Sequence, residues 1–257
     1  MSASEPAAAG AQPGHTAGWR TPALASSYLD TRETLLPKLE VMEDVLRRLL
    51  LRAPRPTRRF LDLGCGGGAM SALVRSLAPA EGVLVDFSEP MLERARARLG
   101  EGSGAAVLAA DLSDPAWLRA LAPGRYDLVV SGLAIHHLTA ERKRALYAEV
   151  HGLLEPRGMF VNMDYVTIRG PLQGLWDEEI LANAIRAERR RGGTRSEAEI
   201  ERDTFDDSAE DRPDSVEDQL AWLREAGFEQ VELHFKWAEA AVFGGIKPEQ
   251  GDERWSR

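Results

Sequence analysis

Between residues 58 and 165 the chain alternates short apolar runs with stretches in which apolar side chains return every three or four positions. Strands followed by helices give that pattern, and its repetition predicts βαβ units on a largely parallel sheet. Five runs read as strands: RFLDLG at 59–64, GVLVDF at 82–87, AAVLAAD at 105–111, YDLVVSG at 126–132 and GMFVNMDYV at 158–166. Several pass through Val and Leu without polar alternation, which predicts burial on both faces and helices on each side of the sheet. Ser88 is positioned to cap a helix carrying Leu92, Ala95 and Leu99 on one face. Thr139 would cap another that buries Leu146, Val150, Leu153 and Leu154 before the turn EPRG at 155–158. An amphipathic helix is predicted over 34–51, and a long one over 170–191, inserted after the fifth strand. Ser215 caps a further helix through Val216, Leu220 and Leu223, which stops at Gly227. VELHFKW (231–237) and AEAAVFGGIK (238–247) are then close enough to pair as a hairpin, setting one antiparallel strand into the sheet.

Composition bounds the class. A length of 257 residues suffices for one domain with a full core. Residues 1–18 are small and broken by Pro and Gly, too poor in large apolar groups to offset the entropy of ordering, so a disordered tail is expected there. The domain is expected over 19–257. Cys65 is the single cysteine, which excludes an internal disulfide and any four-thiolate metal site and suggests a reducing compartment. With no long apolar span and no basic start followed by an apolar stretch, a cytoplasmic location is expected. The net charge of −9 is local: residues 196–218 hold eleven acids and two arginines. The short basic cluster RAERRR at 186–191 lies just before that stretch and reads as a solvated helix, so no nucleic-acid face is expected.

The chemistry gathers at FLDLGCGGGAMSALV, residues 60–74: a strand, then Gly64, Gly66 and Gly68, then a helix. Glycines there turn the chain, let a ligand approach the backbone and aim free helix N–H groups at it. The loop alone would also serve a dinucleotide, and Asp86, 22 residues after Gly64, could hold ribose hydroxyls in either case. Asp62 and Asp111 separate the two readings. Asp62, two residues before the loop, would repel a pyrophosphate but could hold an amino group, and Asp111 can accept from an adenine amino group. Three carboxylates suit a cationic nucleoside without phosphates.

The segments LDLGCGGG, VLVDFSEPML, AADLSD, YDLVVSGLAIHHL and LLEPRGMFVN follow one another in the order and spacing of class I S-adenosylmethionine-dependent methyltransferases. The chain resembles that family over about residues 24–245. The resemblance implies an α/β, doubly wound, Rossmann-like sheet of seven mostly parallel strands with the last antiparallel. It also implies S-adenosyl-L-methionine as cofactor and S-adenosyl-L-homocysteine as product. By it, Asp62 and the loop Gly64, Cys65, Gly66 and Gly68 hold the methionine moiety, Asp86 the ribose, Phe87 and Met91 the adenine face, and Asp111 with Leu112 the adenine edge. Ser131, ending the fourth strand, and Tyr28, on a helical lid over 19–56, complete the cofactor side.

Methyl transfer from a sulfonium is an in-line displacement, so the protein aligns and desolvates, and a base is needed only if the nucleophile carries a proton. Candidate catalytic groups are His137, His136 and Asp164. An imidazole titrates near neutral pH, but many members of the family the chain resembles carry a His pair here whatever their substrate, which favours a structural or cofactor-side role over a general base. Asp164 and Tyr165 either face substrate or cap the next loop. Arg32, Tyr165 and Trp176 are substrate-side candidates, the last within an inserted helical cover over 169–213; Trp237 reads as core. No metal site is expected. The expected function is methylation of a small molecule, most simply at the oxygen of a hydroxyl or carboxyl group. Alternatives are a non-catalytic S-adenosylmethionine-binding protein or a methyltransferase for tRNA or protein. No membrane partner is expected, and the state is monomer or homodimer.

Overall fold

The computed structural model describes residues 38–100, 102–168, 170–206 and 211–249. Seven strands form one sheet in the order β3-β2-β1-β4-β5-β7-β6. They are β1 (Arg59–Leu63), β2 (Glu81–Asp86), β3 (Ala106–Ala109), β4 (Tyr126–Gly132), β5 (Leu154–Tyr165), β6 (Glu229–Trp237) and β7 (Ala240–Ile246). Strands β1 to β5 pair in parallel, and β7 runs antiparallel to both β5 and β6. The hairpin predicted at 231–247 therefore inserts its second strand against β5, with its first strand on the sheet edge. The strand order reverses between β1 and β4, and in open α/β sheets that crevice receives ligands.

Helices cover both faces. On one lie α1 (Leu39–Leu50), α2 (Ala69–Leu77) and α3 (Glu89–Leu99); on the other, α4 (Ala140–Leu153) and α7 (Val216–Glu225). Met42, Leu46, Met70 and Val74 pack on Phe60, Leu128 and Val161 of the first face, whereas Leu146, Tyr147, Val150 and Leu223 pack on Leu61, Val129 and Phe160 of the second. Side chains alternate along a strand, so Asp62 shares the face of Phe60 and emerges beside α2, where the Ser71 hydroxyl donates to it at 2.6 Å. Two helices of the insert, α5 (Gln173–Arg190) and α6 (Glu197–Asp206), follow β5. The start of α6 is a reciprocal cap: Ser196 donates to the Glu199 carboxylate, and the Glu199 N–H donates back to the Ser196 hydroxyl.

Local expectations held at two caps and failed at three points. Thr139 and Ser215 each accept from a first-turn N–H of α4 and α7. Ser88 precedes α3 but its hydroxyl makes no cap bond; its own N–H donates to Asp86 at 2.9 Å. Leu154 belongs to β5, not to α4, and the EPRG stretch lies inside that strand as an irregularity, with Arg157 at φ 62°. The short 3-10 helix at Pro115–Ala120 is capped by Asp114, while Asp111 accepts from the Ser113 N–H. Tyr28, Arg32, the tail at 1–18 and the first part of the predicted lid lie outside the described residues.

Candidate active site

A cavity of about 350 Å³ opens at the C-terminal ends of β1, β2 and β4. Its floor is the glycine loop after β1. Gly64, Gly66 and Gly68 adopt φ values of 61°, 48° and 76°, left-handed backbone that L side chains resist. At Gly64 an added Cβ would collide with the side chain of Ala134, in the loop after β4. Gly68 faces the other way: a Cβ added there would lie 3.2 Å from the Ala95 Cβ on α3, so its bare backbone serves packing, and it does not line the cavity. The neighbouring strand end holds the loop. Cys65 N–H donates to the Val85 carbonyl at 3.0 Å, and Gly66 N–H to one Asp86 carboxylate oxygen at 2.8 Å.

Acidic groups ring this half. Asp62, Asp86 and Asp111 all line the cavity, together with Phe87, Met91 and Leu112. Burial pushes the Asp86 carboxyl up, partly offset by the N–H groups it accepts from Ser88 and Gly66. Cys65 lines the cavity too, but burial, with Asp62 and Asp86 nearby, drives its thiol well above the usual range, so it stays protonated and is no nucleophile. The Arg142 guanidinium is committed to Glu149 at 2.7 Å and to the Leu112 carbonyl. The donor set therefore fits a cationic, phosphate-free nucleoside: acids near the walls and left-handed glycines where a ligand would meet backbone.

Beyond β4 the chain turns through Leu133, at φ 58°, into a short 3-10 helix, Ile135–His137. The two histidines diverge. His137 lines the cavity, whereas His136 is buried behind it, its Nδ1 2.5 Å from Asp164. Asp164 is fully buried and also accepts from the His136, Tyr165 and Asn162 N–H groups. A second carboxylate arrives from far along the chain: one Asp211 oxygen lies 3.4 Å from His136 Nε2 and 3.1 Å from His137 Nδ1. Burial would lower the His136 pKa, but Asp164 and Asp211 outweigh it and raise it to about 9. His137 is lowered, by burial and by its neighbour's charge. Asp211 is held well below the usual carboxylate range despite its burial, by its bonds to both rings. Glu239, pushed up to about 7 by burial and by the charges of Asp211 and Asp177, adds a further acid to this corner.

The pair is thus split, one imidazole charged and enclosed, the other neutral at pH 7 and facing the cavity, a separation that suits proton transfer. Ring nitrogens of His136 and His137 and an Asp211 oxygen also lie within 4.8 Å of one another, a spacing that could accept a metal ion. Both His136 nitrogens, however, already face carboxylates.

Of the residues expected at the site, Asp62, Gly64, Cys65, Gly66, Asp86, Phe87, Met91, Asp111, Leu112 and His137 line the cavity. Ser131 stands behind it, fully buried, donating to the Leu63 carbonyl across the β1–β4 pair at 2.9 Å. Tyr165 packs its ring edge on His136, and Trp176 stacks edge-on against Trp237, 5.8 Å between centroids; neither lines the cavity. Asp211 and Arg212 were missed. Arg212 lines the cavity and donates its N–H to the His136 carbonyl at 3.0 Å. Both lie in the acidic run at the end of the expected cover over 169–213, and only a non-local contact reveals them.

The reversal point, the glycine loop and the acid ring define a Rossmann-like α/β domain built to hold a nucleoside. Residues 60–158 match the family model described as a methyltransferase domain. The fold is that of a class I, Rossmann-like methyltransferase, and S-adenosyl-L-methionine is the cofactor. Carboxy-S-adenosyl-L-methionine synthase of Desulforapulum autotrophicum is 26% identical over 238 residues, 88% of this chain and 90% of that protein. An O-methyltransferase family protein from Burkholderia thailandensis superposes with a TM-score of 0.61 at 16% identity, over 89% of this chain and 59% of that one. Human N-acetylserotonin methyltransferase, in complex with S-adenosylmethionine, gives 0.60 at 14% identity, over 93% and 60%. The chain spans about three fifths of the length of those two structures. Among the described residues no helix is long and apolar enough to cross a membrane.

Proposed function

We propose that the chain methylates a small molecule, most simply at the oxygen of a hydroxyl or carboxyl group. One observation carries this reading: a single cavity joins the acid-ringed glycine loop to His137 and Arg212. When bound, S-adenosyl-L-methionine supplies a methyl group activated by its sulfonium. In this reading Asp62 and the backbone of Gly64 to Gly66 hold its amino-acid end, Asp86 its ribose, and Phe87, Met91, Asp111 and Leu112 its base. Gly68 and Ser131 support that half from behind. His137, its ring fixed by Asp211, takes the proton of a hydroxyl acceptor. A carboxylate acceptor brings no proton, and Arg212 is then the group suited to hold it. Asp164 and His136 act through His137, as positioning residues. Tyr165 and Trp176, outside the cavity lining, pack on His136 and Trp237 behind the acceptor side.

The test is transfer of a labelled methyl group from the donor to hydroxyl- and carboxyl-bearing metabolites, run beside calorimetry with S-adenosyl-L-homocysteine. Tight product binding with turnover on such an acceptor supports the reading. Binding without turnover on any acceptor leaves a non-catalytic binding protein, and turnover only on tRNA or protein replaces the small molecule. A second reading has its own support, since a relative matched over nearly its whole length is a carboxy-S-adenosyl-L-methionine synthase. Here the donor itself would be modified, and mass spectrometry of the nucleoside after reaction would reveal an added carboxylate.

A further inference from the structure

Lys143, on α4, is fully buried, and its ammonium meets one short strap, residues 211–214, whose Arg212 lines the cavity. Its Nζ donates to the Arg212 carbonyl and lies 2.7 Å from the Asp214 carboxylate. The strap is held from two other elements as well. The Arg212 N–H donates to the His136 carbonyl at 3.0 Å, the Thr167 N–H to the Asp214 carbonyl at 3.0 Å, and the Thr167 hydroxyl to the Pro213 carbonyl at 2.5 Å. At the head of this segment stands Asp211, on both histidine rings. A buried ammonium is costly unless paired and hydrogen-bonded. Here its partners are the residues that fix where Asp211 stands.

We propose that Lys143 is a positioning residue of the active site, clamping the 211–214 strap so that Asp211 stays on the histidine pair and keeps His137 in working orientation. The proposal rests on His137 being the group that meets the acceptor. Its consequence is that proton affinities at the site are set partly by a side chain on the far side of the strap, on a different helix. Among the described residues, Asp164 and Tyr165 from β5, Glu239 from the hairpin turn, Asp86 across the cavity and Arg212, which lines it with His137, are the further charged or titratable groups around the pair.

The experiment follows the imidazole resonances of the full chain, saturated with S-adenosyl-L-homocysteine, by NMR as pH is varied, and needs no acceptor. In Lys143→Met the proton affinity of His136 should fall by roughly tenfold and that of His137 should fall too, while product affinity stays within about threefold. Asp214→Asn should shift both histidines in the same direction by a smaller factor, and it keeps the test alive if the Met variant does not fold. Asp211→Asn should reproduce the titration change without disturbing the clamp. With an acceptor in hand, kcat should drop about tenfold at unchanged KM for the donor. Unchanged histidine titrations in a folded Lys143→Met or Asp214→Asn protein overturn the proposal, because a purely structural lysine would lower stability and leave them alone. Failure to find turnover would refute the functional reading and leave the titration result standing.

Discussion

The two sides of the cavity are assembled in different ways. On the donor side the lining groups within residues 62–113 come from strand ends, the turns that follow them and the first turns of the next helices, and Asp86 grips the loop from the next strand. On the far side, Asp211 and Arg212 reach His136 and His137 from some 75 residues downstream, through a strap tied to α4 and to the segment after β5. Short-range parts depend on local sequence, and mutations there act on ligand binding alone. Long-range parts depend on the docking of whole elements, and mutations there act on chemistry and stability together.

Four measurements would break or sharpen this contrast. The largest effect is expected for His137→Ala: turnover of a hydroxyl acceptor falls by about 10²- to 10⁴-fold with product affinity within about threefold, and equal loss of both would move His137 to the donor side. Asp86→Ala removes the acceptor for the Gly66 and Ser88 N–H groups; bonds to a charged group are worth about 1.5–3 kcal/mol each, so product affinity in calorimetry should fall about 10²-fold with the fold intact by circular dichroism. Next comes pH. His136 keeps its proton to about pH 9 when folded, against about 6.5 unfolded, so its stabilisation is complete below pH 6.5 and is lost as pH rises through 9. Thermal midpoints should decline over that window, and in Asp164→Asn the decline should shrink. No change at all is expected from chelation: turnover after EDTA should equal the untreated rate, and a loss restored by a divalent ion would give His136, His137 and Asp211 to a metal.

The same contrast explains what could be read from the chain. The strand runs, the hairpin, the glycine loop and Asp62, Asp86 and Asp111 are legible because each motif sits within a few residues of the strand that positions it. Ser88 misled because a serine before a helix is a good cap in isolation, whereas Pro90, two residues on, has no N–H for its hydroxyl to accept. Asp211 and Asp214 were invisible for a different reason. Eleven acids fall within 23 residues, and nothing local distinguishes the two that meet a buried histidine pair and a buried lysine. Lys143 and Arg142 likewise carry no local mark within the charged stretch ERKR at 141–144, yet both side chains are buried.

The grip of Asp86 on the glycine loop has a kinetic side. Its two oxygens already accept from Gly66 and Ser88, on either side of the cavity floor, and Cys65 is tied to Val85. The loop therefore reaches its ligand-ready shape during folding, and an arriving nucleoside meets a rigid floor without having to freeze a mobile one. Association of S-adenosyl-L-homocysteine should then follow a single concentration-proportional phase in stopped flow, with no slow step after encounter on this side of the cavity.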